Sequence, residues 1–311
     1  MNSIIITGSN SGIGFQCALH LAEIAPNEQL ILACRNEKSA NEAIKIIHHK
    51  TGHAHLKFLP LDLSSFQSIK EFRNLISNEE QNKIIALFNN AGIQIMGKTQ
   101  FTIDGIESTF AVNHLGPFYL TLLLLPFMES HASITFTSSG THDPLQKTGI
   151  TPPVYTDALS LAYPVEMSEN LNIAGQRRYS TSKLCNILTV YELQKRLSNT
   201  YIRVNAFDPG MVPGTGLART YPPMLRFIWN NIMPVLSLFQ HNTNTPRVSG
   251  ANLANLGYAN GYSSFNGKYF EGKKHIKSST DSYNKDYQLD LWNTGVKLTG
   301  ITQEETIVKL D

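Results

Sequence analysis

Cysteine and net charge are both scarce in this sequence. Its 311 residues include only three cysteines, Cys17, Cys34 and Cys185, which are too few for a disulfide framework and indicate reduced thiols in the cytoplasm. The formal net charge is +2, with both signs dispersed, so no basic surface for nucleic acid is expected. The first residues contain neither the basic nor the apolar region of a secretory signal, and none is predicted.

Linkers and uninterrupted apolar segments are also missing. The longest apolar pattern runs from about Glu107 to Met128, but Pro117 and Asn113 within it favour a buried core helix over a membrane span. A buried asparagine must be hydrogen-bonded, so Asn113 needs a partner. With no repeat or low-complexity tract, we predict one domain over residues 1–311, with substrate-side insertions at about 140–178 and 211–245.

A glycine-rich stretch follows the first apolar run, Ile4-Ile5-Ile6. It reads Thr-Gly-Ser-Asn-Ser-Gly-Ile-Gly from Thr7 to Gly14 and leads into a helical pattern that Pro26 ends. Glycine allows a close approach of backbone to ligand, and a helix N-terminus attracts phosphate. A P-loop would end in Gly-Lys-Ser/Thr, which is absent. The stretch therefore predicts a dinucleotide site, with an ordinary glycine loop as the alternative.

Further short apolar runs predict a Rossmann-like, doubly wound parallel sheet of about seven strands in an α/β fold. The second strand ends at Arg35, and no carboxylate stands at positions 33–36. Because a basic side chain there accepts the 2′-phosphate, we predict NADP(H), although Arg35 could be an ordinary surface residue. Asp62 follows the third strand, where it could bond adenine or cap the helix that starts near Ser64.

Four histidines, His48, His49, His53 and His55, lie close together in the sequence. No cysteine or carboxylate joins them at ligand spacing, and Thr51-Gly52 places them at a helix end. We therefore predict a solvated connection and no metal site.

Tyr179 and Lys183 are four residues apart and share a helix face. A cation about 5 Å from a phenol contributes roughly 3 kcal/mol at an effective dielectric constant of about 20, or about two units of phenol pKa. Lys183 would thereby bring Tyr179 closer to the range for proton transfer to a carbonyl oxygen. Chance often produces such a pair, so the pair is weak evidence alone.

Together these motifs resemble the short-chain dehydrogenase/reductase family over nearly the whole chain. The resemblance rests on the glycine turn, Asn89-Asn90-Ala91-Gly92, Asn113, Ser139, Tyr179-xxx-Lys183 and Pro209-Gly210 in the family's order. It implies a catalytic tetrad of Asn113, Ser139, Tyr179 and Lys183. Ser139 would hold the substrate oxygen, Lys183 would also bind the nicotinamide ribose, and Asn113 would support Lys183 through a water molecule. The cofactor-binding residues would be Gly8, Ser9, Asn10, Ser11, Gly12, Ile13, Gly14, Arg35, Asp62, Leu63, Asn90, Ala91, Gly92, Tyr179, Lys183, Pro209, Gly210, Val212 and Thr215.

Within that family the chain resembles retinol dehydrogenases and light-dependent protochlorophyllide oxidoreductases. The likeness is carried by Ala33–Asn36, Asn113–Gly116, Ser182–Asn186 and Pro209–Thr215. Met211 stands where the light-driven enzymes typically have cysteine, and the N-terminal membrane anchor usual in microsomal retinol enzymes is not seen.

We predict an NADPH-dependent reductase of a ketone or aldehyde, expected to be apolar, that also works reversibly as an alcohol dehydrogenase. The alternatives are a C=C reductase of the protochlorophyllide type and a non-catalytic NADP-binding regulator. The apolar segment from Pro222 to Gln240 is expected to be either a pair of core helices or a mobile lid over the substrate, and a lid could also touch a membrane surface.

Overall fold

The first strand and helix form on either side of the glycine-rich turn. In the computed structural model, which describes residues 1–78, 83–165, 170–213 and 243–311, strand β1 (Ser3–Thr7) is fully buried and helix α1 (Gly12–Ile24) follows the turn. The helix ends before Ala25, whose non-helical backbone is expected of a residue that precedes proline. The predicted start and end of this unit are confirmed.

The next elements continue the predicted alternation of strands and helices. Asn36 caps α2 by accepting a hydrogen bond from the Ser39 N–H. The expectation that Asp62 caps α3 is wrong: Ser65 is the cap, and Asp62 Oδ1 instead accepts hydrogen bonds from the backbone N–H and hydroxyl of Ser64. The elements are β2 (Gln29–Cys34), α2 (Glu37–Thr51), β3 (Leu56–Pro60), α3 (Phe66–Ser77) and β4 (Ile84–Asn89).

The long apolar helix predicted from Glu107 to Met128 is divided into shorter pieces. Both carboxylate oxygens of Glu107 cap its first turn by accepting from the N–H groups of Thr109 and Phe110. Within the described ranges, Ser108–Phe127 alone is long and apolar enough to cross a membrane, and it is mostly buried inside the protein, as a core helix is. The pieces are α4 (Ser108–Phe110), a π-helix (Ala111–Leu115), α5 (Gly116–Leu124) and a 3₁₀ turn (Leu125–Phe127).

The apolar runs from Ser133 to Thr137 and from Tyr201 to Phe207 predict two strands, and a helix is predicted to open at Tyr179. All three elements begin earlier or later than predicted: strand β5 begins at Met128 and β6 at Arg203. Helix α7 begins at Leu171, well before Tyr179, because Asn170 accepts from the N–H groups of Asn172 and Ile173. The elements are β5 (Met128–Thr137), α6 (Ala158–Ala162), α7 (Leu171–Arg196), β6 (Arg203–Asp208), α8 (Pro246–Tyr258), β7 (Lys268–Glu271), β8 (Lys274–Ile276) and α9 (Lys285–Thr299).

The described strands form one eight-stranded sheet in the order β3-β2-β1-β4-β5-β6-β7-β8. All neighbours pair in parallel except β7 and β8. The prediction of about seven strands omitted β8, a short edge strand of Lys, His and Ile without a buried run. Helices α1, α2 and α8 pack on one face and α3, α5, α7 and α9 on the other. The predicted α/β class and single domain are confirmed.

The strand order reverses between β1 and β4, and this is where parallel sheets open a ligand crevice. Residues 214–242 lie outside the described ranges, so Thr215 and the predicted lid from Pro222 to Gln240 do too. Their roles stay predictions.

Candidate active site

The glycine turn leaves its backbone open to a ligand. Gly8 and Gly12 have positive φ angles of 64° and 58°, which a residue with a side chain rarely adopts. A Cβ at Gly14 would lie 2.5 Å from both the Gly8 carbonyl oxygen and the Asn90 Nδ2 atom. Glycine at position 14 is therefore required for packing, and the turn has the shape that a pyrophosphate needs at a helix N-terminus.

Thr7 fixes this turn against the loop after β4. Its Oγ1 atom accepts hydrogen bonds from the N–H groups of Asn90 and Ala91, both at 3.0 Å, while Asn90 Nδ2 donates to the Thr7 carbonyl. Thr7 was not among the predicted site residues, although a threonine between an apolar run and the glycine turn was a usable signal. Two loops that would face a dinucleotide are thus held together.

A crevice of about 1100 Å³ runs along the carboxyl ends of the strands. This is space for a dinucleotide and a small substrate. Ser9 is buried beneath the turn, where its hydroxyl donates to the Ile6 carbonyl, and Asn113 is buried beneath the floor. The predicted site residues that line the crevice are Gly8, Asn10, Ser11, Gly12, Ile13, Gly14, Arg35, Asp62, Leu63, Asn90, Ala91, Gly92, Ser139, Tyr179, Lys183, Pro209, Gly210 and Val212.

Arg35 stands at one end of the crevice, directly after β2. Its side chain is exposed, and within the described ranges it makes no ion pair. Asn36 also lines this end, although its amide oxygen is engaged in the cap of α2. A guanidinium without a carboxylate partner remains available to an anion that enters from the crevice.

Tyr179 and Lys183 lie side by side in α7 at the other end. Both are buried, with Lys183 only 3% exposed, and Lys183 Nζ is 5.5 Å from the Tyr179 ring centroid. The ammonium donates to the Thr137 carbonyl at 3.1 Å. Burial lowers the pKa of Lys183 to about 8, and the charge of Asp208 acts in the opposite direction. Lys183 is therefore mostly protonated at neutral pH, and it loses its proton as the pH rises through about 8.

Asn113 occupies the π-helix under this pair. Its Oδ1 atom accepts from the Ile93 N–H, and its Nδ2 atom donates to the Ile93 carbonyl and to the Ser182 hydroxyl. The expectation that this buried asparagine is hydrogen-bonded is confirmed. A Cβ at Gly92 would lie 3.3 Å from Asn113 Oδ1 and 3.4 Å from Lys183 Nζ, so glycine lets both side chains approach the same backbone.

Ser139 follows β5 and faces the same space. Its side chain accepts from the Thr141 N–H, and its carbonyl accepts from His142 Nδ1 at 2.7 Å. The adjacent Ser138 is fully buried and donates to the Lys183 carbonyl. Ser139, Tyr179 and Lys183 therefore line one crevice, with Asn113 beneath it.

The described part of the chain contains no group of three or more His, Cys, Asp or Glu side chains suited to a metal ion. His53 is buried and contacts the Ala25 carbonyl through Nε2, and the His53 carbonyl contacts His48 Nδ1. His48 thereby links the end of α2 to the loop that follows it, and His53 links that loop to Ala25 at the end of α1.

Two buried groups near the site were not predicted from the sequence. Asp208 ends β6, and His142 lies in the 3₁₀ turn after Ser139; both have no exposed surface. The dipeptide Asp208-Pro209 was visible as a strand end, but nothing in the sequence indicated that its carboxylate is buried.

Comparison with known proteins adds independent evidence. The family described as short chain dehydrogenase matches residues 2–152. Human retinol dehydrogenase 13 is 32% identical over 307 residues, which cover 96% of this chain and 85% of that protein. Mouse retinol dehydrogenase 12 is 30% identical, with 97% and 87% covered. The angucycline C-6 ketoreductase LanV, solved with bound NADP, shares the fold with a TM-score of 0.63 at 19% identity, over 88% of this chain and 95% of that one.

Proposed function

Because the chain belongs to the short-chain dehydrogenase/reductase family, with retinol dehydrogenases among its relatives, and is a hydride-transferring oxidoreductase, we propose a finer assignment. The protein reduces a ketone or aldehyde with NADPH and catalyses the reverse oxidation of the alcohol. The observation that carries this proposal is the convergence of Ser139, Tyr179 and Lys183 on the crevice that the glycine turn opens.

NADP(H) is proposed because the residues present suit it. The glycine turn would receive the pyrophosphate, and Arg35 would pair with the 2′-phosphate through parallel N–H donors. Asp62 retains an oxygen for which the described residues provide no hydrogen bond, and it would accept from the adenine amino group. When bound, the cofactor supplies or accepts the hydride at its nicotinamide ring.

The catalytic roles follow from the positions of the side chains. In reduction the carbonyl carbon gains the hydride, and Tyr179 donates its hydroxyl proton to the carbonyl oxygen, which yields the alcohol. Ser139 would donate a hydrogen bond to the same oxygen and so fix its direction. The Lys183 ammonium, 5.5 Å from the tyrosine ring, stabilises the phenolate that remains and would also hold the nicotinamide ribose. Asn113 would support Lys183 through a water molecule.

We propose an apolar carbonyl as the substrate and the cytoplasm as the location. The names of the relatives, retinol dehydrogenases 12 and 13, support a substrate of isoprenoid character. The composition of residues 222–240 supports it as well, since eleven apolar side chains from Met224 to Phe239 are expected near the crevice mouth. The same segment would allow a peripheral contact with a membrane from which such a substrate is drawn.

The test is oxidation of NADPH by the purified protein across aliphatic, aromatic and isoprenoid aldehydes and ketones. We expect turnover with at least one apolar class, and slower turnover with NADH. Substrates in which a C=C bond is the only reducible group serve as the comparison. Turnover of those alone would replace carbonyl reduction with C=C reduction, and NADPH binding without any turnover would indicate a regulator.

A further inference from the structure

A buried carboxylate lines the same crevice as Lys183 and is not part of the expected tetrad. Asp208 is the last residue of β6, has no exposed surface and contributes to the floor of the crevice together with Lys183. A buried carboxylate is costly unless its oxygens are hydrogen-bonded and its charge is balanced. The partners of Asp208 therefore indicate what it does.

Both carboxylate oxygens have neutral donors. Oδ1 accepts from the Gly210 N–H at 2.8 Å, and Oδ2 accepts from the Tyr269 hydroxyl at 2.9 Å. A Cβ at Gly140 would lie 3.2 Å from Oδ2, so the backbone after Ser139 passes close to the same oxygen. These contacts fix the carboxylate, but neutral donors leave its negative charge in place.

The charged and titratable neighbours identify the group that uses this charge. Glu271 is the β7 neighbour of Asp208 in the sheet register and carries the same sign. Tyr269 donates to Asp208, and its ring packs at 4.8 Å against His142, while Asp143 adds a further negative charge near Tyr269. The sheet places Lys183 close to Asp208, because Lys183 Nζ donates to the Thr137 carbonyl and Thr137 pairs with Phe207, the residue before Asp208. The charge of Asp208 accordingly raises the pKa of Lys183 against the effect of burial.

Asp208 also stands between the two loops that flank the reaction centre. On one side it holds the Pro209-Gly210 turn, whose Pro209 carbonyl accepts from Ser249 and Asn244. On the other side His142 joins the Ser139 carbonyl, through Nδ1, to the Ser279 N–H, through Nε2. The acceptor role of Nε2 places the proton of His142 on Nδ1.

We propose that Asp208 is a positioning residue that keeps Lys183 in its ammonium form and fixes the Pro209-Gly210 turn under the nicotinamide end of the crevice. The inference rests on the proposed function, because Lys183 must be charged to stabilise the Tyr179 phenolate and to bind the ribose. Loss of the Asp208 charge would leave Lys183 buried with less electrostatic support, and its proton would then be lost at a lower pH.

The decisive variant is Asp208→Asn, which keeps the size of the side chain and removes its charge. In wild type, kcat/KM for carbonyl reduction should fall as the pH rises through the pKa of Lys183. In Asp208→Asn this alkaline limb should move down by about one pH unit. NADPH affinity, followed by the fluorescence of the bound nicotinamide, should be lost at correspondingly lower pH, and this second readout requires no turnover.

Tyr269→Phe is the matched control, because it removes one hydrogen bond to Asp208 and keeps the charge. Its alkaline limb should stay at the wild-type pH even if its rate falls. An Asp208→Asn limb that does not move, or a Tyr269→Phe limb that moves equally, would show a purely structural role and overturn the proposal. If Asp208→Asn does not fold, Asp208→Ser provides the neutral side chain with room for water and the same expected shift.

A double-mutant cycle tests the charge coupling through stability. Lys183→Met leaves the Asp208 charge without its cation, so adding Asp208→Asn should destabilise that background less than it destabilises wild type. Equal effects in both backgrounds would contradict the coupling. An inactive wild type, or an active Tyr179→Phe protein, would instead refute the proposed function, so the two failures are distinguishable.

Discussion

The two ends of the crevice are built in different ways. At the end proposed to receive adenosine, which the glycine turn and Arg35 line, backbone conformation does most of the shaping: Gly8 and Gly12 adopt positive φ, and the exposed Arg35 supplies the positive charge. At the catalytic end, the side chains themselves are buried, with Lys183, Asn113 and Asp208 all at 3% exposure or less. An exposed cation can be removed at little cost to folding, whereas a buried charge is coupled to its neighbours.

The largest expected effect comes from Tyr179→Phe. In the proposed mechanism the hydroxyl supplies the proton, so carbonyl reduction should slow by about a hundredfold or more, the usual scale for a lost general acid. NADPH affinity, measured by fluorescence titration, should stay close to wild type because the ring remains. Tyr163→Phe, which alters a half-exposed tyrosine outside the crevice, is the control. Near-normal turnover of Tyr179→Phe would remove the catalytic assignment.

Arg35→Ala should affect affinity alone. A bidentate, charge-assisted contact contributes about 1.5–3 kcal/mol, so the Kd for NADPH should rise roughly ten- to a hundredfold while the Kd for NADH changes little. The midpoint of thermal unfolding should not move, since Arg35 is exposed.

Lys45→Ala is the control for Arg35→Ala. Lys45 is an exposed cation of α2 that does not line the crevice. Equal dissociation constants for NADPH and NADH in the wild-type protein would refute NADP selectivity at Arg35.

The smallest effect is a pH dependence confined to the catalytic end. Burial lowers the pKa of Lys183 to about 8, so its ammonium is present below that pH and lost above it. NADPH affinity should therefore weaken severalfold as the pH rises through about 8. The Lys183→Met protein should bind NADPH more weakly than wild type, and its affinity should not depend on pH over this range. A pH dependence that persists in that variant would have to come from another group.

The same contrast explains which features could be predicted from the sequence. The turn from Thr7 to Gly14 is specified by local backbone requirements, and the buried run before it fixes the strand. Both are therefore visible in a few consecutive residues. Strand β8 and the early start of α7 cannot be predicted in this way. Strand β8 depends on its pairing with β7, and the start of α7 depends on the cap by Asn170.

The catalytic end depends even more on distant contacts. Asp208 accepts one of its hydrogen bonds from Tyr269, which is 61 positions away in the sequence, and Asn113 donates to Ser182, which is 69 positions away. The family resemblance identified Asn113, Ser139, Tyr179 and Lys183 as a set, but it gave no information on Asp208 or His142. Their burial follows from the packing of β6, β7 and the 3₁₀ turn after Ser139.

The measurement that tests the central claim most directly is the transfer of label from NADPH deuterated at nicotinamide C4. Each of the two stereospecifically labelled forms is incubated with an apolar aldehyde or ketone, and the product is examined by mass spectrometry and NMR. We predict that one of the two forms delivers a single deuterium to the carbinol carbon, and that Tyr179→Phe suppresses the transfer. Deuterium on a former C=C carbon, or NADPH binding without transfer to any tested carbonyl, would contradict the account.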